Sequence, residues 1–154
     1  MSRQINLICI GKTKPNSPEY NLYQKYERRC RTPINLIELP ESRLQNASQA
    51  MAFEADQLRA KLPKSAFVIC LDERGEDITS PDLARTLDKI YDNTLQPTFI
   101  IGGSHGIDQT LRAESQMSIR FGRVVWPHLL IRSMLAEQLY RSQSIIDGHP
   151  YHRL

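Results

Sequence analysis

Apolar residues follow two alternating periodicities along the chain. Some runs are almost continuously apolar or alternate with a period of two, which is typical of strands: 5–12, 34–40, 66–71, 97–103 and, as a strand or extended segment, 118–126. Other runs repeat apolar residues every three or four positions, which is typical of helices: 17–30, 47–62, 80–93, 108–115 and 127–145. This alternation predicts an α/β fold, a mostly parallel sheet with helices on both faces, formed by one domain over residues 1–154.

The composition is that of an ordinary globular protein, with 40% hydrophobic and 24% charged residues among 154. No apolar run approaches the length of a membrane span, and the N-terminal residues lack the pattern of a secretory signal. We therefore expect a cytoplasmic protein. Three cysteines without a CxxC pair favour buried thiols, and neither a disulfide framework nor a metal site is expected.

Positive charge is concentrated in the last third of the chain. Residues 1–108 balance 14 Lys and Arg against 14 Asp and Glu, whereas residues 109–154 hold six arginines against three acidic residues. Arginine suits bidentate contact with phosphate, although arginines that pair within helices would give the same count. The distribution is compatible with a nucleic-acid partner and does not require one.

Three unusual loops follow predicted strands. They are LDERG at 71–75, IGGSHG at 101–106 and GRVVWPH at 122–128. Ligands of open α/β sheets bind at the carboxyl ends of strands, so these loops predict a pocket. Neither GxGxxG nor GxxxxGK[ST] is present, which argues against a phosphate-binding loop.

The chain closes with GHPYHRL, residues 148–154, which places two histidines, a tyrosine and an arginine within a few positions. Chain ends are often frayed, and composition alone would favour that interpretation. The alternative is a segment that supplies functional groups.

These motifs occur together in a known order. The chain resembles the ribosomal RNA large subunit methyltransferase H family of the SPOUT class in Leu71–Gly75, Ile101–Gly106, Trp126–His128, Glu137–Arg141 and Pro150–Arg153. The resemblance implies an α/β fold with a C-terminal trefoil knot and a homodimer. It also implies transfer of a methyl group from S-adenosylmethionine to N3 of pseudouridine 1915 in 23S rRNA of the assembled ribosome, without a metal or a membrane.

The resemblance also implies site residues. The cofactor would be bound by Leu71, Gly102, Gly103, Gly122, Arg123, Val124, Val125, Trp126 and Pro127. Gly103 is expected to lie where any side chain would meet the ligand. Gly122 and Val125 stand where the family usually has serine and threonine, so backbone contacts are expected there in place of hydroxyl contacts.

The implied catalytic residues are Tyr151, His152 and Arg153, expected to fold back over the cofactor pocket. A guanidinium remains protonated, so Arg153 would bind phosphate or stabilise developing negative charge. His152 could accept the proton that leaves the base, and Tyr151 could stack on it or donate to it. The alternative function is a non-enzymatic RNA- or ribosome-binding factor, which would not bind S-adenosylmethionine.

Overall fold

A computed structural model describes residues 3–153. The strands are β1 (Ile5–Ile10), β2 (Ile34–Leu39), β3 (Ala66–Asp77), β4 (Gln96–Ile101) and β5 (Met117–Arg120). The helices are α1 (Pro18–Glu27), α2 (Ala47–Ala60), α3 (Ser80–Asp92), α4 (Gln109–Glu114) and α5 (His128–Ile146).

The strands form one sheet in the order β2-β1-β4-β3-β5, and every pairing is parallel. The α/β prediction is therefore confirmed. Residues of β1 and β4 and the stretch 68–72 of β3 are almost all buried, which explains why these stretches are largely apolar in the sequence. The trefoil knot implied by the resemblance stays a prediction.

Apolar cores cover both faces of the sheet. One core packs α1, α3 and α5 against side chains such as Leu7, Ile69 and Phe99. The other packs α2 and α4 against the opposite face, where Ile8 and Ile100 point. Successive residues of a strand alternate between these two cores, as the pleat requires.

Strand β3 differs from the sequence prediction, which ended it at residue 71. Leu71 and Glu76 both pair with Ile119 of β5, so the residues between them bulge out and the strand then resumes. A Cβ atom at Gly75 would lie 2.5 Å from the backbone of Ile119, so only glycine fits there. The predicted loop LDERG is thus a bulge inside a long strand. Strand β5 ends at Arg120, earlier than the predicted segment 118–126.

The cysteines have the predicted environment. Cys9 and Cys70 are buried and Cys30 is half-buried, all as free thiols. Burial raises the pKa of Cys9 and Cys30 to about 12 and that of Cys70 to about 11, so these thiols remain protonated. In residues 3–153, no helix is long and apolar enough to cross a membrane.

Candidate active site

A cavity of about 490 Å³ opens at the carboxyl edge of the sheet. The three loops predicted from the sequence form its walls, together with the first turn of α5. Its lining includes Leu71, Asp72, Glu73, Ile101–Gly106, Arg120–Gly122, Val124–His128 and Ile131. Parallel strands end together at this edge, which is why loops that are distant in the sequence meet here.

Asp72 ties two of these loops together. Its side chain is only 2% exposed. One carboxylate oxygen accepts a hydrogen bond from the backbone N–H of Arg74 at 2.9 Å, and the other accepts from the backbone N–H of Ile107 at 3.1 Å. The β3 bulge and the glycine loop after β4 are therefore held in one arrangement by a single carboxylate.

The glycine loop is closed tightly on itself. A Cβ atom at Gly102 would lie 2.5 Å from the carbonyl oxygen of Gly106, and Gly106 has a positive φ of 84°. A Cβ atom at Gly103 would meet Ile10 and the carboxylate of Glu54, on the side of the protein interior. The expectation that a side chain at Gly103 would meet the ligand is therefore wrong, because that direction is filled by protein atoms.

The third loop projects exposed apolar side chains. Val124, Val125 and Trp126 are 61%, 74% and 39% exposed, and the Trp126 indole N–H donates to the carbonyl of Phe121 at 2.8 Å. This bond closes the loop across five residues. Of the nine residues expected to bind cofactor, eight line the cavity, and Arg123 does not. Its charge instead acts on Asp77, where Arg120 first and Arg123 to a lesser extent lower the pKa of that carboxyl.

A partly buried ion pair joins α5 to the ends of β1 and β2. Arg132, 1% exposed, donates to the carbonyl oxygens of Ile10 and Gly11 at 2.8 Å each and to Glu38 at 2.7 Å. Glu38 also accepts from the backbone N–H and the hydroxyl of Thr13. Sequence analysis missed this cluster, since nothing in the local sequence indicates that a helix arginine turns inward. It fixes the end of β1 beside the first turn of α5.

The tail residues are not in this cavity. The Tyr151 hydroxyl donates to Glu137 at 2.9 Å, and its ring packs on Tyr140 with centroids 4.6 Å apart. Glu137 lies nine residues beyond His128, or about 14 Å along the helix. Within one chain, the expectation that the tail folds over the pocket is wrong, because Tyr151 is bound to the C-terminal half of α5.

The contacts of His152 define its hydrogen-bonding roles. Arg141 lies 3.2 Å from the Nδ1 atom, and a guanidinium can only donate. Nδ1 is therefore the acceptor, and the ring proton is on Nε2, which is buried and has no partner within the described chain. His152 is thus arranged to donate from Nε2, and its implied role as proton acceptor stays a prediction. Tyr151 is likewise a neutral donor, since burial and then its bond to Glu137 raise its pKa to about 12.

We predict that Asp72→Asn lowers the free energy of unfolding by about 1–3 kcal/mol, because an amide cannot accept from both backbone N–H groups. Glu73→Gln is the matched control, since Glu73 lines the same cavity but is exposed. Thermal and urea unfolding measure both variants. Equal stability of the two variants would show that the Asp72 bonds do not hold the loops.

Comparison with known proteins places the chain in a family. The family model described as "Predicted SPOUT methyltransferase" matches residues 3–152. A protein named ribosomal RNA large subunit methyltransferase H from Paramagnetospirillum magneticum is 43% identical, with 96% of this chain and 97% of that protein covered. One of the same name from a Ruegeria species is 42% identical, with 98% of this chain and 99% of that protein covered.

A solved structure described as a methylase family protein from Neisseria gonorrhoeae has the same fold. It aligns with a TM-score of 0.55 at 11% identity and covers 99% of this chain and 86% of that one. The full-length sequence matches carry the assignment. The chain belongs to the SPOUT methyltransferase family, among the proteins named ribosomal RNA large subunit methyltransferase H.

Proposed function

We propose that this protein methylates 23S rRNA of the large ribosomal subunit, at N3 of pseudouridine 1915, with S-adenosylmethionine as the methyl donor. The observation that carries the proposal is the cavity at the carboxyl edge of the sheet, in a chain that matches rRNA methyltransferases over its whole length. We further propose that residues 1–154 act as one methyltransferase domain.

The lining residues fit this cofactor. S-adenosylmethionine carries a sulfonium and an ammonium against one carboxylate, so it is a net cation. The exposed carboxylate of Glu73 lines the cavity and suits this positive charge. Leu71, Ile101 and Ile131 offer an apolar wall to the adenine ring, and the compact glycine loop exposes its backbone. Gly122 and Val125 provide no side-chain hydroxyl, so contacts in that loop come from backbone groups.

S-adenosylmethionine, when bound, would supply an activated methyl group. The protein must orient the two reactants and stabilise the charge that spreads onto the carbonyl oxygens flanking the ring nitrogen N3 when its proton departs. Arg153, exposed in the single chain, is suited to donate to those oxygens. His152, whose Nε2 is buried, is suited to position the tail through its contact with Arg141.

The tail lies far from its own cavity, so we propose that it serves the cavity of a second copy in a homodimer. An apolar groove of about 460 Å³ supports this arrangement. It is lined by Phe121 and Gly122, which also line the cavity, and by Glu137, which holds the tail. Leu22, 37% exposed, and half-buried Met134 give it the apolar surface that a second chain would cover.

Met134→Glu places a charge in this groove and is expected to convert the dimer to monomers at micromolar concentration. Methylation should be lost with the dimer, while the monomer stays folded. Phe53→Glu, on exposed surface of α2, is the control, because Phe53 is 49% exposed and lines no described part of the groove. Sedimentation velocity measures both. A wild-type protein that sediments as a monomer would refute the dimer.

The function is tested with ribosomes that lack the modification. The purified protein and S-adenosylmethionine should add one methyl group, which mass spectrometry of the rRNA should locate on the pseudouridine. Thermal stabilisation by S-adenosylmethionine separates this function from the alternative, a non-enzymatic ribosome-binding factor. A protein that binds ribosomes but is not stabilised by the cofactor would favour the alternative.

A further inference from the structure

A second cavity, of about 520 Å³, lies between α1 and the outer strand β2. Six of its lining residues carry polar side chains: Lys12, Tyr20, Tyr23, Gln24, Glu27 and Glu38. It shares no lining residue with the cofactor cavity. Its volume is within the range of pockets that hold small ligands.

Tyr23 is the one buried residue among those that line this cavity. The residue is 5% exposed, and its hydroxyl is buried without a hydrogen-bond partner in the described chain. Native proteins rarely leave such a group unpaired, because burying it without a partner is costly. Burial, followed by the charge of Glu27, raises the pKa of Tyr23, so its hydroxyl stays protonated, and only the ring of Tyr23 is available to a ligand.

Three further polar side chains of the cavity have no side-chain partner within residues 3–153. No side-chain hydrogen bond or ion pair joins Lys12, Gln24 or Glu27 to another described residue. Glu38 binds Thr13 and Arg132 through one oxygen, Oε2, which leaves its Oε1 as an acceptor. The cavity therefore combines one cation, two phenol rings and two carboxylates with acceptor capacity.

This combination matches one nucleotide of a single strand. Lys12 suits a phosphate, and a phenol ring suits stacking on a base, as in many proteins that bind unpaired RNA. Carboxylates accept hydrogen bonds from exocyclic amino groups but repel a base edge that presents only acceptors. The ligand class is thus a nucleotide whose base carries an amino group.

The position of the cavity relates it to the methyl-transfer site. Lys12 follows Gly11, where a Cβ atom would lie 3.3 Å from His128 Nε2, and His128 lines the cofactor cavity. Gly11 thus lies next to one lining residue of each cavity. We propose that the second cavity binds an unpaired, amino-bearing nucleotide that neighbours the methylated one in the same RNA loop. This inference rests on the proposed rRNA substrate.

The test compares two lysine variants that remove the same charge. Lys12→Gln is expected to raise the KM for unmodified ribosomes by about ten-fold and leave kcat within about two-fold, because a binding contact is lost and no reacting group changes. Lys14→Gln, exposed and outside the cavity, should change KM by less than about three-fold. Tyr20→Leu should resemble Lys12→Gln, and affinity for S-adenosylmethionine should be unchanged in all three.

Ultraviolet crosslinking followed by mass spectrometry identifies the nucleotide directly. An amino-bearing nucleotide attached to Tyr20 or Tyr23 is the expected result. Equal KM values for the two lysine variants, or crosslinks to these tyrosines only from uridines, would overturn the inference while wild-type methylation still supports the proposed function. If the wild-type protein binds ribosomes without methylating them, the same comparison made with dissociation constants still decides whether the cavity contacts RNA.

Discussion

A protein truncated after Pro150 is expected to fold, dimerise and bind S-adenosylmethionine, yet to methylate unmodified ribosomes about a hundred- to a thousand-fold more slowly. The described residues that it loses, 151–153, contact α5 through Tyr151 and His152 and line no part of the cofactor cavity of their own chain. Glu137 and Arg141 remain paired with each other without it. The measurement is single-turnover methylation, beside calorimetry for the cofactor.

Two substitutions at His152 distinguish the roles of its ring. His152→Gln keeps a polar amide beside Arg141 and is expected to retain far more activity than His152→Ala, because the residue positions the tail. If His152 instead accepts the proton, His152→Gln should be as inactive as His152→Ala. The pH profiles of both variants should then lack one titration that the wild-type profile shows.

Two outcomes of the truncation would contradict the catalytic assignment. Turnover near that of the full chain would mean that Tyr151, His152 and Arg153 form an ordinary surface segment. Joint loss of stability and cofactor binding would mean that the tail is structural. Arg153→Ala, exposed in the single chain, is the variant least able to disturb the fold and should also reduce the rate.

Arg132→Met is expected to lower the free energy of unfolding by about 3–5 kcal/mol, because it leaves Glu38 partly buried without its cation. It also removes the donors to the carbonyl oxygens of Ile10 and Gly11. Affinity for S-adenosylmethionine should fall with stability, since these bonds hold β1 against the first turn of α5. Urea unfolding and calorimetry measure the two effects.

A second variant tests whether the loss comes from the uncompensated charge. Glu38→Gln combined with Arg132→Met should be more stable than Arg132→Met alone, because the neutral amide costs less to bury. Arg123→Met is the control, being exposed and outside the cavity. If Arg132→Met costs no more than that control, the buried cluster does not support the fold.

Much of the fold follows from local patterns. The parallel sheet is predictable because β1, β4 and the first half of β3 are buried on both faces and are therefore apolar runs, with helices of clear periodicity between the strands. The three loops of the cavity are predictable because loops after parallel strands converge at one edge. The family is predictable because its motifs occur in a fixed order along the chain.

Other features depend on contacts between distant segments. The bulge in β3 exists because β5 pairs on both sides of it, and Gly75 is required by the backbone of Ile119 rather than by its own neighbours. The direction of a Cβ atom at Gly103 likewise follows from where β1 and α2 pack. Sequence predicted a glycine-rich loop but not which side of it faces the cavity.

The sequence by itself determined the fold class, the family and the segments that carry chemistry, because periodicity and motif order are local properties of the chain. Tertiary structure alone decided how those segments meet. It paired Arg132 with Glu38 across 94 positions, and it set the tail on α5 with Nδ1 of His152 against Arg141. The contacts of a side chain depend on its neighbours in space, so the contact between His152 and Arg141 could be seen only in the folded chain.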